Sequence, residues 1–186
     1  MVSILGISGS LRRGSYNSAL LRAAQASMPD GAELVEGSIA GIPLYNADDE
    51  AETGIPPAVQ VLKRQLAEAD GLILFTPEYN NSIPGVMKNA IDWLSRPASD
   101  IGPLFGGRPI ATLGASMGGF GTVLAQEAWL PVLRTLGTRP WFEGRMLVSR
   151  AQTVFDEAGE LNDLATRDRL RAFLVGFSAF ATSQAR

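Results

Sequence analysis

At 186 residues, 46% of them hydrophobic, the chain can bury one substantial core and is expected to form a single domain spanning 1–186. Sixteen Lys and Arg against 19 Asp and Glu leave a net charge of -3, which argues against nucleic acid as the main partner. With no Cys and no His, the chain has no disulfide, thiolate or imidazole chemistry and lacks the commonest metal ligands.

Residues 2–7 read as a first strand, because a short apolar run fits a strand buried in a parallel sheet. No cationic leader precedes it, and no apolar run approaches the ~18 residues that span a bilayer, so a soluble, cytoplasmic protein without a membrane partner is expected. Ser8 to Tyr16 is a loop of Gly, Ser and Arg that runs straight into a helix from Asn17 to Met28, closed by Pro29-Asp30-Gly31. Such a strand, loop and helix can converge backbone N–H groups and the positive end of a helix dipole on an anion.

Ala32 to Val35 is a weak second strand, and Gly37 to Pro57 reads as a long loop with an acidic patch at Asp48, Asp49, Glu50 and Glu52. A second helix starts at Pro56-Pro57 and buries Val59, Leu62, Leu66 and Ala69. Gly71 to Thr76 is a continuous apolar strand that belongs at the sheet centre. The loop Pro77 to Pro84 then leads into a third helix with Val86, Ala90, Ile91 and Leu94 inward. Ile110 to Leu113 is the fourth strand; the Gly-rich loop Gly114 to Gly121 and a fourth helix to about Leu136 follow. A short fifth strand is expected within Thr138 to Phe142, no element is assigned from Gly144 to Gly159, and a last helix begins near Asn162 or Asp163. Five such units predict an α/β fold: an open, doubly wound, five-stranded parallel sheet with helices on both faces. Ligands of such sheets sit beyond the strand C-termini, so the loops after strands one, three and four should converge.

Each loop also has an ordinary explanation. Gly9 to Ser15 has the glycine spacing of a Walker A loop, but the lysine that motif requires is missing, and Gly6 to Leu11 does not fit the dinucleotide fingerprint. A mononucleotide phosphate fits what is left. Gly114-Ala115-Ser116-Met117-Gly118 matches the G-x-S-x-G elbow of hydrolases, yet a serine nucleophile needs a base and no histidine exists to supply it. Glu78 alone reads as a loop or helix-capping carboxylate, and Lys88 with Asp92 as a surface pair one helical turn apart. Trp93, Trp129 and Trp141 read as core or subunit-interface residues.

Gly9-Ser-Leu-Arg-Arg-Gly-Ser-Tyr-Asn17 and Pro77-Glu-Tyr-Asn-Asn-Ser-Ile-Pro-Gly-Val-Met-Lys-Asn-Ala-Ile-Asp-Trp93 together resemble the NADPH-dependent FMN reductase family, which includes chromate, quinone and azo-dye reductases. The resemblance implies a flavodoxin-like fold with strand order 2-1-3-4-5, bound FMN, and NAD(P)H as co-substrate. It implies that Ser10, Arg12, Ser15, Tyr16 and Asn17 hold the FMN phosphate, that Pro77, Glu78, Tyr79 and Asn80 line the isoalloxazine, and that Ser116, Gly118 and Gly119 contact its opposite edge. It further implies a homodimer or homotetramer with cofactor sites near the subunit interface. The chain departs from the family pattern at Asn81 and at Leu124-Ala125-Gln126, which border the expected substrate or subunit contact.

These readings converge on a flavoenzyme that passes electrons from NAD(P)H to a small-molecule acceptor: a quinone, free flavin, an azo compound or a metal oxyanion such as chromate. Flavin carries the redox chemistry itself, so no catalytic side chain and no metal site is assigned. One open pocket over the ring predicts that donor and acceptor use it in turn, a ping-pong hydride transfer through FMN. The alternative is a flavodoxin-like electron carrier or a flavin-binding regulatory protein without turnover.

Overall fold

The computed structural model describes residues 1–183. Near-continuous apolar runs form β1 (Val2–Ser8), β3 (Gly71–Phe75) and β4 (Pro109–Ala115), the centre of a parallel sheet in the order β2-β1-β3-β4-β5. The edges are β2 (Ala32–Gly37) and β5 (Arg139–Pro140). The expected doubly wound fold and strand order are therefore present.

Strand periodicity divides the core in two. Ile4, Ile73, Phe75, Ala111 and Leu113 pack with α1 (Tyr16–Gln25) and α7 (Leu164–Thr182). Leu5, Ile7, Leu72, Leu74 and Ile110 pack on the other face with α3 (Pro57–Glu68), α4 (Gly85–Leu94) and α6 (Val123–Thr135). Strand order reverses between β1 and β3, where the C-terminal loops part to opposite faces of the sheet. Trp93 and Trp129 are buried, as expected, and Lys88 pairs with Asp92 at 2.7 Å.

Two segments differ from the sequence expectation. The long loop before α3 contains a helix, α2 (Ala47–Thr53), none of whose residues is buried, so no apolar period marked it. Asn46 caps it by accepting the Asp48 N–H at 3.0 Å, and Asp48, Asp49 and Glu50 place negative charge in its first turn. Polar contacts hold it down: Glu50 accepts from Arg96 Nε at 2.9 Å and from the Tyr45 hydroxyl at 3.0 Å. The preceding chain is pinned to α4, because the Pro43 carbonyl accepts from both Trp93 Nε1 at 2.9 Å and Asn89 Nδ2 at 2.8 Å. A further short helix, α5 (Ile101–Phe105), precedes β4.

The fifth sheet position is shared by two short strands. β5 pairs with Pro109 and Ile110 at the start of β4, and β6 (Met146–Val148) pairs with Leu113 to Ala115 at its end. Arg139 and Trp141 donate to the carbonyls of Arg108 and Ile110 at 2.9 and 2.8 Å, with Pro140 between them, and the chain then leaves the sheet with the Trp141 side chain turned inward. Its indole packs against Phe173 at 5.0 Å and Phe177 at 5.8 Å, under α7. Gly144 makes this possible, since a Cβ there would collide with the indole ring. The stretch to which no element was assigned thus holds β6 and completes the sheet.

Candidate active site

The loops after β1, β3 and β4 meet over the strand C-termini and enclose a cavity of about 490 Å³ lined by all three. In the first loop, Ser15 sits in an extended conformation as the cap of α1, and its Oγ accepts the N–H groups of Asn17 at 3.2 Å and Ser18 at 3.3 Å. Its hydroxyl proton is left to donate into the cavity. Among the described residues no protein acceptor meets the N–H groups of Leu11, Arg13, Gly14 or Tyr16. Of these residues Tyr16 lines this cavity, where its N–H, the Ser15 hydroxyl and the α1 dipole suit an anion, while Leu11 and Arg13 line a smaller hollow beside it. Arg12 adds a full charge and folds back over the Tyr16 ring, its guanidinium carbon 5.7 Å from the centroid.

Asn17 is also at the cavity wall, but its amide is already committed. It donates to the Ala115 carbonyl at 3.0 Å and accepts the Ala115 N–H at 2.9 Å. The residue therefore ties the start of α1 to the end of β4, and its side chain holds the wall in place. Gly9 brings the first and second loops together, since a Cβ there would lie 2.6 Å from Met87 and 2.8 Å from Pro77.

The second loop folds on itself. Tyr79 and Ser82 exchange two backbone hydrogen bonds of 3.1 Å, with Asn80 and Asn81 between them at φ of 50° and 61°. Two consecutive left-handed residues make this a tight hairpin turn, and asparagine tolerates that region better than other residues with a Cβ. Glu78 does not turn its carboxylate to the cavity. Its Oε2 accepts the N–H groups of Leu124 at 2.9 Å and Ala125 at 3.1 Å, capping α6, which has no side-chain cap of its own. What Glu78 offers the cavity is its backbone.

In the third loop the carbonyls of Ser116 and Gly118 accept from the N–H groups of Ala151 and Arg150, both at 3.0 Å. A trans peptide places its carbonyl and the following N–H on opposite sides. The N–H groups of Met117 and Gly119 are therefore turned away from that anchor, and no protein acceptor meets them among the described residues. Ser116 Oγ donates to the Gly121 carbonyl at 2.5 Å. Its hydroxyl is used to hold the loop, and among the described residues no side-chain base hydrogen-bonds to it.

The residues expected from the sequence gather here. Ser10, Arg12, Ser15, Tyr16, Asn17, Pro77, Glu78, Tyr79, Ser116, Gly118 and Gly119 all line the cavity. Asn80 does not, because the turn places it at the tip, and Asn81 lines the wall instead. Ala115, Met117, Phe120 and Gly121 also line it; they belong to the Gly-rich loop but carry no polar side chain that would mark them singly. A second cavity of about 500 Å³ lies between α6 and the fifth sheet position, against β4 rather than beyond its end. Only the first has loop N–H groups converging at strand C-termini, and it is the candidate site.

No helix among the described residues is long and apolar enough to cross a membrane. The family model for NADPH-dependent FMN reductase matches residues 2–153. An NAD(P)H-dependent FMN reductase of Pseudomonas aeruginosa is 46% identical over 170 residues, covering 91% of this chain and 90% of the relative. A quinone reductase of Escherichia coli K12 is 38% identical, covering 96% of this chain and 95% of the relative. Among solved structures, FerB, a flavoenzyme NAD(P)H:(acceptor) oxidoreductase from Paracoccus denitrificans, superposes with a TM-score of 0.87 at 30% identity over 98% of each chain. On sequence and fold alike, the chain belongs to the NADPH-dependent FMN reductase family and is an oxidoreductase with FMN as its cofactor and NAD(P)H as its electron donor.

Proposed function

We propose that the cavity over the strand C-termini holds FMN and that the protein passes electrons from NAD(P)H to quinones and free flavin, with azo compounds and metal oxyanions such as chromate as further acceptors. The observation that carries this reading is the meeting of three strand-end loops at one cavity, with Arg12, the Ser15 cap and the unpaired N–H of Tyr16 at one end and the unpaired N–H groups of Glu78, Met117 and Gly119 along its other walls. That arrangement suits a mononucleotide: a dianionic phosphate at the Arg12 end and a flat ring between the second and third loops. Quinone as acceptor is supported by the Escherichia coli quinone reductase and by a 2-hydroxy-1,4-benzoquinone reductase of Burkholderia that is 35% identical over 96% of both chains.

Bound FMN supplies the two-electron chemistry, so no side chain of this chain forms a covalent bond with substrate. Ser10, Arg12, Ser15 and Tyr16 hold the phosphate. Pro77, Glu78 and Tyr79 bound one side of the ring; Ser116, Gly118 and Gly119 bound the other, where the N–H groups of Met117 and Gly119 are left to meet its edge. Asn17 keeps these walls in register through Ala115. With one open pocket over the ring, donor and acceptor occupy it in turn, and the kinetics are ping-pong. Exposed Met117, Phe120 and Leu124 beside that pocket support assembly of two or more copies with the sites near the contact.

Purified protein is expected to show a flavin visible spectrum that anaerobic NADPH or NADH bleaches within the turnover time and a quinone restores. Initial rates at several fixed quinone concentrations are expected to give parallel double-reciprocal lines. Reconstituted protein whose flavin stays oxidised under NAD(P)H would overturn the enzymatic reading, and intersecting lines would overturn the ping-pong order.

A further inference from the structure

We propose that Thr76 and Trp129, which do not line the cavity, are positioning residues that aim the N–H of Glu78 at the bound flavin and so set how readily it accepts electrons. The inference rests on the reading of the cavity as an FMN site. Thr76 directly follows β3, and both it and Trp129, on α6, are fully buried at 0% exposure. Trp129 Nε1 donates to Thr76 Oγ1 at 3.1 Å, and that hydroxyl donates to the carbonyl of Pro77 at 2.9 Å. A hydroxyl has one proton, so accepting from the indole commits that proton to Pro77, and each bond strengthens the other in a dry setting.

The relay fixes the direction of one peptide plane. With the Pro77 carbonyl drawn toward the buried Thr76 hydroxyl, the following N–H, that of Glu78, points the opposite way. Glu78 lines the cavity, and no protein acceptor meets its N–H among the described residues. The same residue is held at its other end, since its carboxylate caps α6 at Leu124 and Ala125. Helix α6 thus grips Glu78 twice, by Trp129 through Thr76 and by its own N-terminus. A donor fixed before the reaction stabilises charge gained by the ring without any cost of reorientation.

The test compares Thr76→Val, Thr76→Ser and Trp129→Phe with wild type in three measurements: FMN affinity, the midpoint potential by equilibration with a reference dye, and the rate of flavin reduction in anaerobic stopped flow. FMN affinity is expected to change less than about threefold, because the phosphate contacts are untouched, while Thr76→Val lowers the midpoint potential and slows reduction roughly tenfold. Trp129→Phe should move both in the same direction and by less, since it keeps the bond from Thr76 to Pro77 and serves if Thr76→Val fails to fold. Thr76→Ser should restore both values. Variants that bind FMN yet match wild type in potential and rate overturn this inference and leave the FMN reading standing. A serine variant as impaired as the valine one overturns it in favour of packing, and a wild-type protein that binds no FMN overturns both readings.

Discussion

Arg12 is the one cation among the residues lining the cavity, and Glu78, the one anion, is occupied with α6. A charge-assisted contact to phosphate contributes ~1.5–3 kcal/mol, so Arg12→Ala is expected to weaken FMN roughly ten- to a hundredfold, read by fluorescence titration. Its thermal midpoint without FMN should match wild type, because Arg12 is exposed and in no ion pair with an acidic residue among the described residues. Asn17 should show the reverse balance. Asn17→Ala strands the buried N–H and carbonyl of Ala115 and should lower stability by about 1–3 kcal/mol in chemical denaturation, with weaker FMN binding following from the loosened wall. The first motif was legible because phosphate loops are local. The difference between Arg12 and Asn17 was not, since Asn17 finds its partner 98 positions along the chain.

At the scale of elements, α2 shows how far polar contacts can hold a helix that buries nothing. The hydrogen bond from Arg96 to Glu50, joined by that from Tyr45, holds the Glu50 carboxyl below its usual range, and burial together with the bond to Glu50 raises the Tyr45 hydroxyl. A depressed carboxyl favours the folded state above the unfolded carboxyl's range near ~4.3 and loses that contribution as pH falls through the folded value. Glu50→Gln is therefore expected to unfold at a lower temperature than wild type at about pH 7, with the gap closing below about pH 4. A gap that stayed constant over that range would show that the carboxylate's charge does not hold α2. The acidic patch was visible in the sequence, but its partner Arg96 lies 46 residues away, so the segment read as a loop.

For the whole molecule, apolar surface left open is where the proposed assembly is expected to make its contact. Phe142 is 73% exposed and Leu130 40%, and both line the cavity between α6 and the fifth sheet position. Phe142→Asp places a charge in that face, so light scattering behind gel filtration should show wild type as a dimer or larger and the variant shifted toward monomer. An unchanged mass would place the subunit contact elsewhere.

Sequence alone determined the doubly wound sheet, because apolar runs without alternation demand strands covered on both faces and parallel strands demand helical crossovers. Along the chain the first loop pointed to a mononucleotide phosphate, and the resemblance carried by Gly9–Asn17 and Pro77–Trp93 implied that a bound flavin does the chemistry. Tertiary structure alone decided which polar groups remain for a ligand. Glu78, Asn17, Ser116 and Thr76 all looked available or unremarkable along the chain, and each is bound to a partner that folding brings to it. The fifth sheet position was decided the same way, since nothing near Trp141 in sequence says that its indole will be drawn out of the strand to pack beneath α7. Local pattern sets which elements form; the satisfaction of buried polar groups and the filling of space between distant elements set what each residue is left free to do.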